Sequence, residues 1–114
     1  MMTENHLGKK IICSVEKITI FTSKGSFQIK ARIDTGAYRT SIDKEFAEFI
    51  GVNFLEKKIK MRSASGRQER RLCKLEFELC GERIESEASI SERKHMKYKA
   101  IIGRRDLKNF LVKP

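Results

Sequence analysis

The stretch FQIKARI at residues 27–33 constrains this chain more than any other, because its apolar and polar residues alternate without a break. Phe27, Ile29, Ala31 and Ile33 fall on one side, and Gln28, Lys30 and Arg32 on the other. Period two belongs to an extended strand with one buried face, since successive side chains leave a strand on opposite sides. The pattern returns in CKLEFELC at 73–80, where Leu75, Phe77 and Leu79 alternate with Lys74, Glu76 and Glu78. Half-buried strands need partners, so the chain has to build a sheet.

The partners are legible nearby. Val15, Ile18 and Ile20 mark a strand with one irregularity, and SKGS at 23–26 supplies turn chemistry before residue 27, which predicts a hairpin. Residues 57–80 read as strand on both sides of SASG, a long hairpin with Gly66 near its tip. CGER makes another turn, after which Ile84, Ser86, Ala88 and Ile90 line one side of a further strand. AIIG at 100–103 is a short apolar run, RRDLKNF offers one or two helical turns, and FLVKP ends on a last short strand. A single helix is expected in SIDKEFAEFIG, with Ile42, Phe46, Phe49 and Ile50 at helical spacing, Ser41 or Asp43 as cap and Gly51 as stop. Phe46, Phe49, Phe77 and Phe110 are expected in the core. No βαβ alternation appears, so the class is mainly antiparallel β, a small barrel or sandwich. At 114 residues the chain is expected to form one domain, 1–114.

Charge bears on partners rather than on fold. The formal net charge is +10, and the stretch from Glu56 to Lys74 carries eight cations against two anions, which is over half of that excess. Such a chain attracts acidic partners by long-range forces. Nucleic acid ranks behind an acidic peptide, because no aromatic residues interleave with the cations as a stacking platform would require. Cys13, Cys73 and Cys80 are odd in number and lack CxxC spacing, and no apolar run has the length of a membrane span or the form of a signal peptide. A cytoplasmic location is expected, with the thiols as small core residues. His95 and Tyr98 are expected on the surface. Metal ligation would need about three side chains at suitable spacing, and the chain offers only His6 and His95 as imidazoles, so no metal or cofactor is assigned.

One carboxylate stands out. In ARIDTGAYRTSI, Asp34 ends the alternating strand and enters a tight turn, followed by Thr40 and Ser41; some seventy residues on comes AIIGRRDL. The order and spacing of DTGA, a glycine-tipped hairpin and a hydrophobic-hydrophobic-glycine run resemble the retropepsin-like aspartic proteases. The further match of IDTGA, TS and ISERKHMKYKAIIGRRDLKNFLVKP is similar to the family named ATP-dependent zinc proteases. The resemblance implies a closed or partly open antiparallel β-barrel with one or two short helices, working as half of a homodimer. It implies Asp34, Thr35 and Gly36 as the catalytic turn, with Thr35 tying the two turns of a dimer together. Ala37 and a flap of Ser63, Ala64, Ser65, Gly66 and Arg67 would contact substrate, and Thr40, Ile101, Ile102, Gly103 and Arg104 would support the turn from behind. Association with an ATP-grasp ligase is a further implication of the resemblance.

The chemistry behind the motif stands apart from any family. Cleaving an amide with carboxylates takes one ionised group to accept a proton from water and one protonated group to polarise the carbonyl. This chain has one such motif, so two copies of Asp34 have to meet across a twofold axis, where like charges at hydrogen-bond range retain one proton between them. Gly36 would give the backbone room and unusual dihedrals there. Ala37 resembles the retropepsin choice where pepsin-like halves often carry Ser or Thr, and the missing hydroxyl, which would favour the ionised Asp, predicts activity at mildly rather than strongly acidic pH. Where retropepsins usually have an acidic residue paired to the arginine of the GR pair, this chain has Tyr38, which leaves Asp43, Asp106 or a carbonyl as the partner of Arg104. The expected function is that of a homodimeric aspartic peptidase acting on acidic or glutamate-rich peptides. The alternative is a non-catalytic dimeric module of the same fold that binds a peptide or a ligase.

Overall fold

The computed structural model describes residues 3–4, 8–63 and 66–113. Ten strands, one α-helix and one 3₁₀ turn follow one another: β1 (Thr3–Glu4), β2 (Lys10–Ile12), β3 (Val15–Thr22), β4 (Gly25–Asp34), β5 (Ser41–Asp43), α1 (Lys44–Ile50), β6 (Asn53–Ser63), β7 (Gly66–Leu79), β8 (Glu82–Ser91), β9 (Ala100–Gly103), the 3₁₀ turn (Arg104–Asp106) and β10 (Phe110–Val112). The larger sheet runs β3-β4-β9-β5-β8-β7-β6, and β3 also pairs with β7. That extra pairing closes six strands into a ring and leaves β6 outside it. A second sheet, β1-β2-β10, is built from strands near the two ends of the described chain.

The ring is where the alternating sequences find their partners. Strands β3 and β4 form the expected hairpin, with Thr22 opposite Gly25, and Ile18 and Ile20 of β3 sit opposite Leu79 and Phe77 of β7. Ile18, Ile20, Leu75, Phe77 and Leu79 are all fully buried, while on the other face of β7 Lys74 and Glu78 are exposed and Glu76 is half-buried. Closure removes the open edges that β3 and β7 would otherwise present, as a barrel does. The long hairpins are antiparallel, as expected. Three short pairings are parallel: β4 with β9, β5 with β8 and β10 with β2. Parallel neighbours need long crossovers, and here the excursions through the β6–β7 hairpin and the charged 92–99 segment supply them.

The helix is shorter than its sequence pattern implies. Ser41 and Ile42 belong to β5, and Asp43 is the cap, its side chain accepting from the Phe46 amide at 3.1 Å. Gly51 ends the helix in the left-handed region at φ 79°, the conformation that favours glycine. With one turn fewer, the apolar stripe narrows to Ala47 and Ile50, both buried, with Phe46 half-buried. Phe49 is 72% exposed, so its expected place in the core is wrong, whereas Phe77 and Phe110 are buried. The thiols divide too: Cys73 is core and Cys80 packs against it, but Cys13 is exposed. His95 is exposed and Tyr98 half-buried. Among the described residues, no helix is long and apolar enough to cross a membrane, and no group of three or more His, Cys, Asp or Glu could hold a metal ion. His6 lies outside the described residues.

Candidate active site

Asp34 is the last residue of β4, and the parallel pairing with β9 sets it opposite Gly103. The chain turns at once: the Ala37 amide donates to the Asp34 carbonyl at 3.2 Å, and the Gly36 amide donates to Asp34 Oδ1 at 3.0 Å. The carboxylate is thus steered by its own turn while remaining half-buried, and Thr35 and Gly36 are exposed. Gly36 does not adopt the unusual dihedrals expected for it, being absent from the positive-φ glycines; a Cβ there would instead come within 3.2 Å of Asp34 Oδ1. Glycine therefore serves close approach to the carboxylate rather than backbone freedom.

Behind the turn stands a buried polar support. Thr40, fully buried, donates to Asp106 Oδ2 at 2.5 Å and accepts from the Gly103 amide at 3.1 Å. Ser86 donates to the same Asp106 oxygen at 2.6 Å. The Thr40 and Ser86 hydroxyls are thus both paired, as buried polar groups usually are. The Arg104 and Arg105 amides donate to the Ala37 and Tyr38 carbonyls, both at 2.9 Å. Gly103 is the tightest point: a Cβ would lie 2.5 Å from the Arg39 carbonyl carbon and 2.7 Å from the Tyr38 oxygen, both backbone. Of the expected support residues, Ile102 is core and Ile101 half-buried on the opposite face.

The partner of Arg104 is now visible. Its Nη1 makes long contacts of 3.5 Å to the Thr35 and Gly36 carbonyls, and its guanidinium lies 5.4 Å from the centroid of the Tyr38 ring. A carbonyl partner was one of the three alternatives, and the aromatic face was none of them. A cation over a ring within about 6 Å is attracted by the ring quadrupole. Asp43 and Asp106 are occupied elsewhere: Asp43 caps α1 and accepts the Arg93 amide at 2.6 Å, and Asp106 holds Thr40 and Ser86.

Between the turn and the β6–β7 hairpin lies a cavity of about 540 Å³, lined by Gly36, Ala37, Tyr38 and Arg39 of the turn, Ser41 and Ile101 from β5 and β9, Ser89 of β8, and Ile59, Lys60, Met61 and Arg70 of the hairpin, with Arg93 closing it. Four of these residues are cations and none is acidic. A larger open cavity of about 770 Å³, around Phe21, Gly51 and Arg83, contains no expected site residue. We take the smaller one as the site on chemical grounds. Ala37 and Gly36 line it, while Asp34 and Thr35 do not. Of the expected flap residues, Gly66 and Arg67 are exposed near the hairpin tip, Ser63 pairs with Gly66, and Ala64 and Ser65 lie outside the described residues.

Arg93 was missed by sequence reasoning, as were Arg39 and Lys60. It sits in a segment that reads as charged surface, and only the fold returns it to the site. Its Nε donates to the Tyr98 carbonyl at 3.1 Å. Burial pushes its guanidinium below the ordinary value; the Asp34 and Asp43 charges hold it up, and Arg32 and Arg70 push it down. It remains a cation at any pH of interest.

No family profile matches this chain, and no curated protein matches it. Solved structures do. A Legionella pneumophila protein of unknown function (DUF785) superposes with a TM-score of 0.65 at 20% identity, covering 91% of this chain and 92% of that one. The protease of simian foamy virus superposes with a TM-score of 0.59 at 19% identity, covering 82% and 90% respectively. At such identities the likeness speaks for the fold, and the fold of this chain is retropepsin-like: mainly β, a six-stranded closed barrel with one helix.

Proposed function

We propose that this chain is an aspartic peptidase that acts as a homodimer, with Asp34 of each subunit sharing one water and one proton at the twofold axis. The observation that carries this reading is the Asp34 turn itself. A half-buried carboxylate is oriented by the Gly36 amide, hung on a buried Thr40–Asp106–Gly103 support, in a retropepsin-like barrel. One carboxylate accepts the proton of the attacking water while the other, protonated, donates to the amide oxygen; the tetrahedral species then collapses and the proton passes to the leaving nitrogen. The cationic β6–β7 hairpin favours acidic peptides. Thr35 is exposed beside Asp34, and in such a dimer it would meet its counterpart in the second subunit.

Asp34→Asn tests the proposal directly. The variant is expected to lose cleavage of a mixed peptide library by at least about a thousandfold, the scale of removing a general acid–base group, while sedimenting as the same dimer. Retained cleavage would falsify the catalytic role. An unsubstituted dimer that binds peptides and never cuts them would leave the binding-module alternative standing instead.

A further inference from the structure

The cavity beside the Asp34 turn concentrates positive charge at one place. Arg39, Lys60, Arg70 and Arg93 line it without an acidic side chain among them. Ser89 lines it too, and its hydroxyl is buried, at 1% residue exposure, with no hydrogen-bond partner among the described residues. A buried hydroxyl left unpaired is costly, and in native proteins such a group calls for an explanation, of which a missing ligand is one. Ser41, its neighbour across the sheet, is already engaged with Ser91 Oγ at 2.8 Å and the Ser89 carbonyl at 3.2 Å. Ile59, Met61 and Ile101 supply the apolar part of the wall.

Arg93 is held as a recognition group would be. Its backbone amide is tied to Asp43 Oδ1 and its Nε to the Tyr98 carbonyl, so the side chain is anchored from behind, and its terminal nitrogens have no hydrogen-bond partner among the described residues. A planar guanidinium fork matches a carboxylate bidentately. The exposed cations of the hairpin, Arg62, Arg67 and Arg71, do not line the cavity and provide only the diffuse attraction that salt screens.

Resting on the peptidase reading, we infer that this cavity is a carboxylate-binding subsite. Arg93, flanked by Arg39, Lys60 and Arg70, takes a peptide carboxylate, the Ser89 hydroxyl donates to it, and the aliphatic stem lies along Ile59, Met61 and Ile101. Substrate acidity is then read at one position rather than along a whole tail. The carboxylate belongs either to an acidic side chain or to a peptide C-terminus.

The test uses the full chain carrying Asp34→Asn, which binds without cutting, and fluorescein-labelled octapeptides of Ala, Leu and Phe. One Glu is walked through the peptide, with Gln counterparts and with free or amidated C-termini, and anisotropy is read at about 0.15 M and about 1 M salt. Glu at a single position, or a free C-terminus, is expected to bind about ten- to a hundredfold tighter than its neutral counterpart, the range of a charge-assisted hydrogen bond. The preference should persist in part at high salt, and Arg93→Gln should abolish it. Loss on Glu-to-Gln exchange names the side chain as the source, and loss on amidation names the terminus. Equal binding of charged and neutral peptides at every position overturns the inference, as does a folded Arg93→Gln protein that keeps the preference. Should Arg93→Gln fail to fold, Ser89→Ala serves instead: it should weaken the charged peptides alone. Cleavage is not read in this assay, so failure of the peptidase reading and failure of the subsite are separate results.

Discussion

At the residue scale, several single atoms decide what this fold can tolerate. Gly103 is the sharpest case, because a methyl group there would overlap the Tyr38–Arg39 backbone, which cannot rotate away as a side chain would. Gly103→Ala should destabilise the protein by about 1–3 kcal/mol, the usual cost of overpacking, and loosen the Asp34 turn. Urea unfolding together with peptide cleavage would show it, and wild-type stability would count against the tight contact. AIIG announces this glycine in the sequence, but the reason for it is a backbone sixty-odd residues earlier. Thiol chemistry separates the cysteines. Burial pushes Cys73 up to about 12, and burial, with the Glu16 charge and hydrogen bond, pushes Cys80 up to about 11. Thiolates do the reacting, so iodoacetamide at neutral pH should modify exposed Cys13 first and reach Cys73 only on unfolding. Peptide mapping that finds Cys73 labelled in the native state would contradict this.

At the scale of elements, Asp43 joins strand, helix and loop. It ends β5, caps α1 through the Phe46 amide, and pins the loop carrying Arg93. Burial pushes its carboxyl up, but the Arg93 and Phe46 amides and the Lys99 charge outweigh that, and it rests below its ordinary 3.8. A carboxylate depressed in the folded state adds stability above its unfolded value, and that stability is lost as pH falls through the folded value. Asp43→Ala should therefore cost about 1–2 kcal/mol at neutral pH and progressively less below about pH 4. Chemical denaturation at several pH values measures this, and a gap unchanged by acid would argue against the ionised cap. The Gly51 stop was readable from SIDKEFAEFIG and Asp43 was one of the two caps it offered, whereas the loss of the first turn to β5 was not. Strand β5 exists only because β8 and β9 flank it. The same local reading placed Phe49 inside, since periodicity gives a stripe without saying how much of it a short helix can bury.

At the scale of the whole molecule, the proposed dimer makes activity depend on concentration: dilution below the dimer dissociation constant should lower specific activity in step with the sedimenting dimer. Specific activity that is constant while the protein sediments as a monomer would remove the shared dyad. What the sequence determined by itself was whatever short-range physics controls. Period-two alternation set FQIKARI and CKLEFELC as half-buried strands, glycine and small polar residues set their turns, and DTGA with AIIG marked a turn and the strand that packs behind it. Tertiary structure decided what depends on who the neighbour is. The parallel pairings, the closure of β3 on β7, the stacking of Arg104 on Tyr38 and the return of Arg93 to the cavity all join residues far apart in the chain. Such contacts follow from burial, crossover geometry and charge in three dimensions, and no local pattern encodes them.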